Sequence, residues 1–301
     1  MATLSFIGLG TMGGPMVRNL RSADHKVHIY DVNPTAVDTL AQETGAVPMA
    51  SPTDATGVDA VILMLPNSDI VHSVIGESGD DPAGLLHALP AGTLVVDMSS
   101  SKPAGTRTEA ERLEAAGLRM VDAPVSGGPL RAATGQLTIM VGGRDEDVAE
   151  IRPILAVLGS AITHTGSVGS AHALKALNNL LSVIGLVGGL EVLAVGKKFG
   201  LDPQLMLDVI NTSTGRNHAT ELKIGQQVLS SEWNVGFSLA LTVKDVATAL
   251  DLAISEGVDT PVARAAVEIC HKALDQLAGT RPDQSEIAKY IERTSAMSFT
   301  D

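Results

Sequence analysis

Cysteine is nearly absent: one, Cys270, in 301 residues, so no internal disulfide can form and a disulfide-built secreted scaffold is excluded. No positively charged leader followed by an apolar h-region precedes the first predicted strand, and a cytoplasmic location is the expectation. Long apolar runs are lacking as well. The most apolar stretch, Leu180 to Leu190, contains Gly185, Gly188 and Gly189, is too short to span a bilayer and reads as a buried helix, so no membrane partner is expected. Positive charge is in deficit, with 21 Lys and Arg against 34 Asp and Glu; the net charge of −13 repels nucleic acid and anionic surfaces at long range. An acidic substrate must therefore be drawn by local groups, and Lys175, Lys244, Arg216 and backbone amides are the candidates. Neither His172 nor His218 has a further His or carboxylate at an established ligand spacing, so no metal site is expected and structural or substrate-contacting roles are favoured for both.

What is present suits an enzyme of about two domains, by the ~150-residue prior, with 45% hydrophobic residues to furnish the cores. Leu4-Ser5-Phe6-Ile7 reads as a short strand that runs into Gly8-Leu9-Gly10-Thr11-Met12-Gly13 and then a helical run from Pro15 to Leu20. That is the strand, turn and helix context of a dinucleotide fingerprint. Gly8 permits the tight turn, Gly10 lets backbone approach a pyrophosphate, and Gly13 allows helix to pack closely on strand. A second strand, Lys26 to Tyr30, ends in Asp31, close to the ~20-residue separation at which an acidic residue meets the ribose. A carboxylate accepts from a 2′-hydroxyl and repels a 2′-phosphate, and Val32, Asn33 and Pro34 bring no arginine, so NAD is favoured over NADP.

Apolar runs too short for helices follow at Asp59 to Leu65 and Thr93 to Asp97, with further strands at Leu118 to Val121, Leu137 to Val141 and Ala161 to His164. Helical segments fall near Ala36 to Glu43, Ile70 to Ile75, Ala104 to Ala116 and Asp145 to Leu158. The expectation is an α/β fold, an N-terminal Rossmann-type doubly wound sheet over residues 1–165 followed by an all-α C-terminal domain over 166–301. Its helices are expected at Gly169 to Phe199, Pro203 to Asn211, Ala219 to Ser230, Thr242 to Gly257 and Pro261 to Ala278, with a loosely held polar tail after Arg293.

Lys175 and Asn179 are i and i+4 on the long helix and share a face, with His172 and Ser182 on the same stripe. An amine on so apolar a helix needs a partner or a task. Ser126, Gly127 and Gly128 offer a hydroxyl and two unobstructed amides that can converge on a carboxylate; a loop that needs glycine for its turn reads the same way.

Four ordered segments carry a resemblance: Phe6 to Met16, Asp122-Ala123-Pro124-Val125-Ser126-Gly127-Gly128, Gly166-Ser167-Val168-Gly169 leading to Lys175 and Asn179, and Lys244-Asp245 after Phe237 and Leu241. Together they resemble the β-hydroxyacid dehydrogenase family, which includes 3-hydroxyisobutyrate dehydrogenase, tartronate semialdehyde reductase and relatives of 6-phosphogluconate dehydrogenase. The resemblance implies hydride transfer between NAD and a short β-hydroxy acid, with Lys175 as catalytic acid/base and Asn179 as its hydrogen-bonding companion on substrate and lysine. It implies substrate contacts at Ser126, Gly127, Gly128, Lys175, Asn179 and, in a variable loop from Ser213 to His218, Arg216, which reads equally as a solvated surface charge. Its cofactor contacts would be Gly8, Leu9, Gly10, Thr11, Met12, Gly13, Asp31, Leu65, Pro66, Ser100 where relatives often carry Thr, and Lys244. Ala171 departs from the family, where glycine is common before the helix, and adds a methyl group near the reacting centre. The implied assembly is a homodimer or homotetramer. The leading substrate is 3-hydroxyisobutyrate, with tartronate semialdehyde, L-serine or a threonate-type sugar acid behind it; imine reduction, practised by relatives lacking the lysine, and a non-catalytic nucleotide-sensing module are the competing classes.

Overall fold

The computed structural model describes residues 1–77 and 84–300. The chain forms two compact units, Met1–Lys175 and Ala176–Asp301.

In the first unit the strands are apolar at consecutive positions, so both faces of the sheet must be covered. Successive side chains point to opposite faces: Leu4, Phe6, Ile62, Leu94 and Val96 join one core cluster, while Ile7, Val61, Leu63 and Val95 join another. The order of elements is β1 (Thr3–Ile7), α1 (Gly13–Ser22), β2 (Lys26–Tyr30), α2 (Pro34–Thr44), β3 (Val47–Pro48), β4 (Ala60–Leu63), α3 (Ser68–Ile75), α4 (Leu85–Ala88), β5 (Leu94–Asp97) and α5 (Pro103–Ala115). There follow β6 (Arg119–Asp122), β7 (Val125–Ser126), α6 (Gly128–Ala133), β8 (Leu137–Gly142), α7 (Asp145–Leu158) and β9 (Gly159–Gly166). The sheet runs β3-β2-β1-β4-β5-β6-β8-β7, with β9 on β8. Strands β3 to β6 in that order are parallel, and β8 is antiparallel to β6 and β7. The doubly wound expectation therefore holds, with β1 flanked by β2 and β4 at the point where strand order reverses. The two-residue strands β3 and β7 and the six-residue α6 escape sequence reading because they are shorter than any periodicity.

The second unit is helical. Helix α8 (Ser170–Phe199) starts before its boundary and continues through it, followed by α9 (Pro203–Asn211), a π-helix at Thr220–Leu229, α10 (Leu239–Ser255), α11 (Pro261–Gln276) and α12 (Ile287–Ser295). By length and composition α8 could cross a membrane, which the shorter run from Leu180 to Leu190 does not suggest. Its Val183, Leu186, Leu190 and Leu193 are instead fully buried in the unit's core.

Two expectations are corrected. Residues 220–229 wind as a π-helix rather than an α-helix, and Thr220, Ile224 and Val228, four apart, all face inward. The tail after Arg293 is held: α12 runs to Ser295, Phe299 is buried, its N–H donates to Glu292 Oε1 at 2.8 Å, and Lys198 Nζ donates to the Ala296 carbonyl at 2.9 Å. Buried Phe299, with Met297 packed against the same core, anchors the segment.

Candidate active site

The exits of β1, β2, β4, β5 and β6 gather the first unit's candidates at the carboxyl edge of the sheet, where ligands of open α/β folds bind. At the end of β1, Gly8 has φ +101°, and a Cβ there would lie 2.3 Å from the Met64 carbonyl oxygen. A Cβ on Gly13 would stand 1.9 Å from the Gly8 carbonyl oxygen and 3.1 Å from the Phe6 ring. Both positions require glycine, as the fingerprint demands. Gly10 is different: nothing of the protein lies within 4 Å of where its Cβ would be, so the turn faces open space. Thr11 and Met12 complete the turn. Helix α1 opens on Met12 with no side-chain cap and no acidic residue in its first turn, which leaves backbone N–H groups and the positive end of the helix dipole for an anion. These residues fit a dinucleotide pyrophosphate.

Asp31 stands just past β2. Its Oδ2 accepts from the Leu9 N–H at 2.7 Å and its Oδ1 from the Asn33 N–H at 2.8 Å. Two backbone donors fix the carboxylate beside the glycine turn, and each oxygen keeps a further lone pair for a ribose hydroxyl. Leu65 and Pro66 follow β4, and the Leu65 N–H donates to Ser99 Oγ at 2.9 Å. Ser99 and the half-buried Ser100 follow β5, so the loops bearing Leu65, Pro66 and Ser100 are stitched together.

After β6 the chain reaches Ser126, held opposite Thr138 in the β7–β8 ladder. Gly127 and Gly128 have φ +130° and +69°, values an L side chain rarely adopts, and they turn the chain into α6. The half-buried Ser126 hydroxyl and this glycine pair thus sit on a defined turn at the same edge of the sheet.

Lys175 and Asn179 lie one turn apart on α8, both half-buried. In the second unit Asn179 Nδ2 donates to Asp245 Oδ2 at 2.7 Å, and Lys244 Nζ lies 3.2 Å from Asp245 Oδ1. Asp245 is only 5% exposed. Sequence reasoning gave Asp245 no functional part, although its place beside Lys244 was the available signal. The structure makes it the carboxylate that joins two candidate residues. With Nδ2 so engaged, the Asn179 Oδ1 is the acceptor end; Asn178 Nδ2 donates to it at 3.3 Å, and one lone pair remains.

Arg216 is 61% exposed, with Nε 3.7 Å from Glu221 Oε1. Its loop is ordered by Asn217, whose Oδ1 accepts from the N–H groups of Ala219 and Thr220 at 2.9 and 3.2 Å.

Comparison with known proteins agrees with these features. Residues 3–166 match the family described as the NAD binding domain of 6-phosphogluconate dehydrogenase, and residues 169–291 match the one described as NAD-binding of NADP-dependent 3-hydroxyisobutyrate dehydrogenase. The chain is 35% identical to the 2-(hydroxymethyl)glutarate dehydrogenase of Eubacterium barkeri, covering 99% of this chain and 97% of that one. It is also 35% identical to the NAD-dependent L-serine dehydrogenase of Pseudomonas aeruginosa, covering 98% and 99%. Among solved structures, the Mycobacterium tuberculosis 3-hydroxyisobutyrate dehydrogenase with L-serine aligns at a TM-score of 0.88 and 30% identity, over 97% of this chain and 99% of that one.

Proposed function

We propose that this chain, which belongs to the β-hydroxyacid dehydrogenase family, oxidises a short β-hydroxy acid, with 3-hydroxyisobutyrate the leading substrate and Lys175 moving the alcohol proton. It is an NAD-dependent oxidoreductase acting on CH–OH groups. The observation that carries the mechanism is the Lys175–Asn179 pair on one face of α8, with the Asn179 amide fixed by buried Asp245.

Gly8 to Gly13 would hold the pyrophosphate, Asp31 the ribose hydroxyls, and Leu65, Pro66, Ser100 and Lys244 the remaining contacts. NAD held there would supply the acceptor for the hydride that leaves the carbinol carbon. The Lys175 amine takes the alcohol proton in oxidation and, as an ammonium, returns it to the carbonyl oxygen in reduction. The Asn179 Oδ1 orients the substrate hydroxyl or the amine. Ser126 and the Gly127 and Gly128 amides hold the carboxylate, so a chain of net charge −13 binds an anion through a hydroxyl and backbone dipoles. Arg216 would pair with a second acidic group; its exposed contact with Glu221 is of the kind worth little and is readily exchanged.

The compounds in the relatives' names, 2-(hydroxymethyl)glutarate, L-serine and 3-hydroxyisobutyrate, share a primary alcohol one carbon from the carbon that bears the carboxylate. We assign this chain to that class, 2-substituted 3-hydroxypropanoates, ahead of tartronate semialdehyde and sugar acids. The exposed Leu181, Val195 and Phe199 of α8 support its working as a homodimer or homotetramer, and a cytoplasmic location is part of the proposal. NADH formation at 340 nm tests the substrate reading across such acids, with lactate as the 2-hydroxy control. The expected result is turnover of at least one 2-substituted 3-hydroxypropanoate and none of lactate; turnover of lactate alone, or of no acid, contradicts it.

A further inference from the structure

His172 lies one turn before Lys175 on α8 and is 1% exposed. Its Nε2 is 3.0 Å from the Ser99 carbonyl oxygen; a carbonyl can only accept, so this nitrogen carries a proton. Its Nδ1 meets Thr106 Oγ1 of α5 at 2.8 Å. Two buried carboxylates flank the ring, Asp97 Oδ2 at 3.9 Å from Nε2 and Asp122 Oδ2 at 3.6 Å from Nδ1. Both ring nitrogens are therefore engaged inside the first unit, and neither is left to meet a substrate.

The groups around His172 are themselves fixed. Asp122, at the end of β6, accepts from the Gly169 N–H through Oδ1 and the His172 N–H through Oδ2, each at 2.8 Å, and so places a carboxylate at the start of α8. Burial pushes the Asp122 carboxyl above its ordinary range, against the opposing pull of His172 and these N–H groups. Asp97 accepts from the Ser99 N–H at 2.9 Å and the Ser101 hydroxyl at 2.7 Å. Ser99 in turn receives the Leu65 N–H on its hydroxyl. One rigid ring thus spans from the helix turn that carries Lys175 to the serine that joins the Leu65–Pro66 loop to the Ser99–Ser100 loop.

We propose that His172 is a positioning residue that sets where Lys175 stands relative to those two cofactor-side loops. His172 and Lys175 are i and i+3 on one helix face, so a shift of the imidazole is a shift of the amine. A buried polar network with every member satisfied has one low-energy arrangement, and a misplacement of about 1 Å at a reacting centre costs on the order of 10²-fold in rate. The inference rests on Lys175 being the proton-transfer residue. If Lys175→Met keeps its activity, that reading fails; if Lys175→Met is inactive and His172 variants are normal, only the present one does.

The test compares His172→Leu, His172→Gln and His172→Asn, using 3-hydroxyisobutyrate or the most active acid of the panel. Gln places an amide N–H near the Nε2 position and keeps the bond to Ser99, whereas Asn reaches only the Nδ1 side. For His172→Leu, kcat per folded NAD-binding site should fall roughly 10- to 100-fold. Its substrate deuterium isotope effect should rise, and the KM for NAD should stay within about threefold. Gln should restore most of the rate and Asn should not. In cofactor-free protein, amide exchange at Leu65 should quicken in the Leu variant and return toward wild type with Gln. If Leu fails to fold, the Gln-over-Asn order and its Leu65 protection carry the test. A normal kcat in folded His172→Leu, equal rates in Gln and Asn, or unchanged Leu65 exchange would overturn the proposal.

Discussion

Asp31 shows how much one side chain decides. Its carboxylate is fixed by the Leu9 and Asn33 N–H groups, so it cannot swing away from a 2′-phosphate. Asp31→Ala should weaken NAD binding and narrow the preference for NAD over NADP, read as the ratio of kcat/KM values in both proteins; a wild type that prefers NADP contradicts the assignment. Asp245 acts through another residue. Its carboxylate orients the Asn179 amide, and removing a hydrogen bond to a charged group costs roughly 1.5–3 kcal/mol, so Asp245→Ala, which takes that acceptor away, should lower kcat about tenfold or more. A kcat within twofold of wild type would remove Asp245 from the site. The glycines and Asp31 were legible in sequence because a turn and a strand end are local patterns. Asp245 and Asp122 were not, since each acts on a partner that only folding brings near: Asn179 and Asp245 are 66 positions apart, His172 and Asp122 50.

At the scale of elements, α3 and α5 are tied by a charged cluster. His72 Nδ1 lies 2.6 Å from Glu109 Oε1, His72 Nε2 3.1 Å from Glu77 Oε1, and Arg112 Nη1 2.5 Å from Glu109 Oε2. The Glu109 and Glu77 carboxylates raise the His72 pKa above its ordinary value, with desolvation and Arg112 opposing. A raised folded-state pKa gives stabilisation that is complete below the unfolded value, about 6.5 for histidine, and lost as pH rises through the folded one. The stability gap between wild type and His72→Gln in urea melts should therefore be largest below about pH 6.5 and shrink as the pH rises above it. A gap that grows with pH contradicts this. Long strands and helices were legible from their periods, but the π-helix was not: its buried Thr220, Ile224 and Val228 suit an ordinary helix nearly as well, and packing decides the winding.

For the whole molecule, the second unit exposes several large apolar side chains. Leu177 and Leu181 of α8, with Pro261 and Val262 of α11, line an apolar groove of about 350 Å³, and Leu181, Val195 and Phe199 stand largely exposed. Light scattering should give a dimer or tetramer, and Leu181→Glu with Phe199→Glu should shift it toward monomer; a monomeric wild type contradicts the assembly. The proposed proton transfer turns on Lys175. An ammonium that merely attracted the substrate would act on KM, whereas a general acid/base acts in the transition state and its loss falls on kcat. The direct measurement is the pH profile of kcat for Lys175→Met, which removes the titrating amine and keeps a flexible chain. The prediction is NAD binding retained, kcat lowered by ~10²–10⁴-fold, and the profile's dependence on the lysine abolished. Turnover of the best substrate within a few-fold of wild type, with the same pH profile, would contradict it.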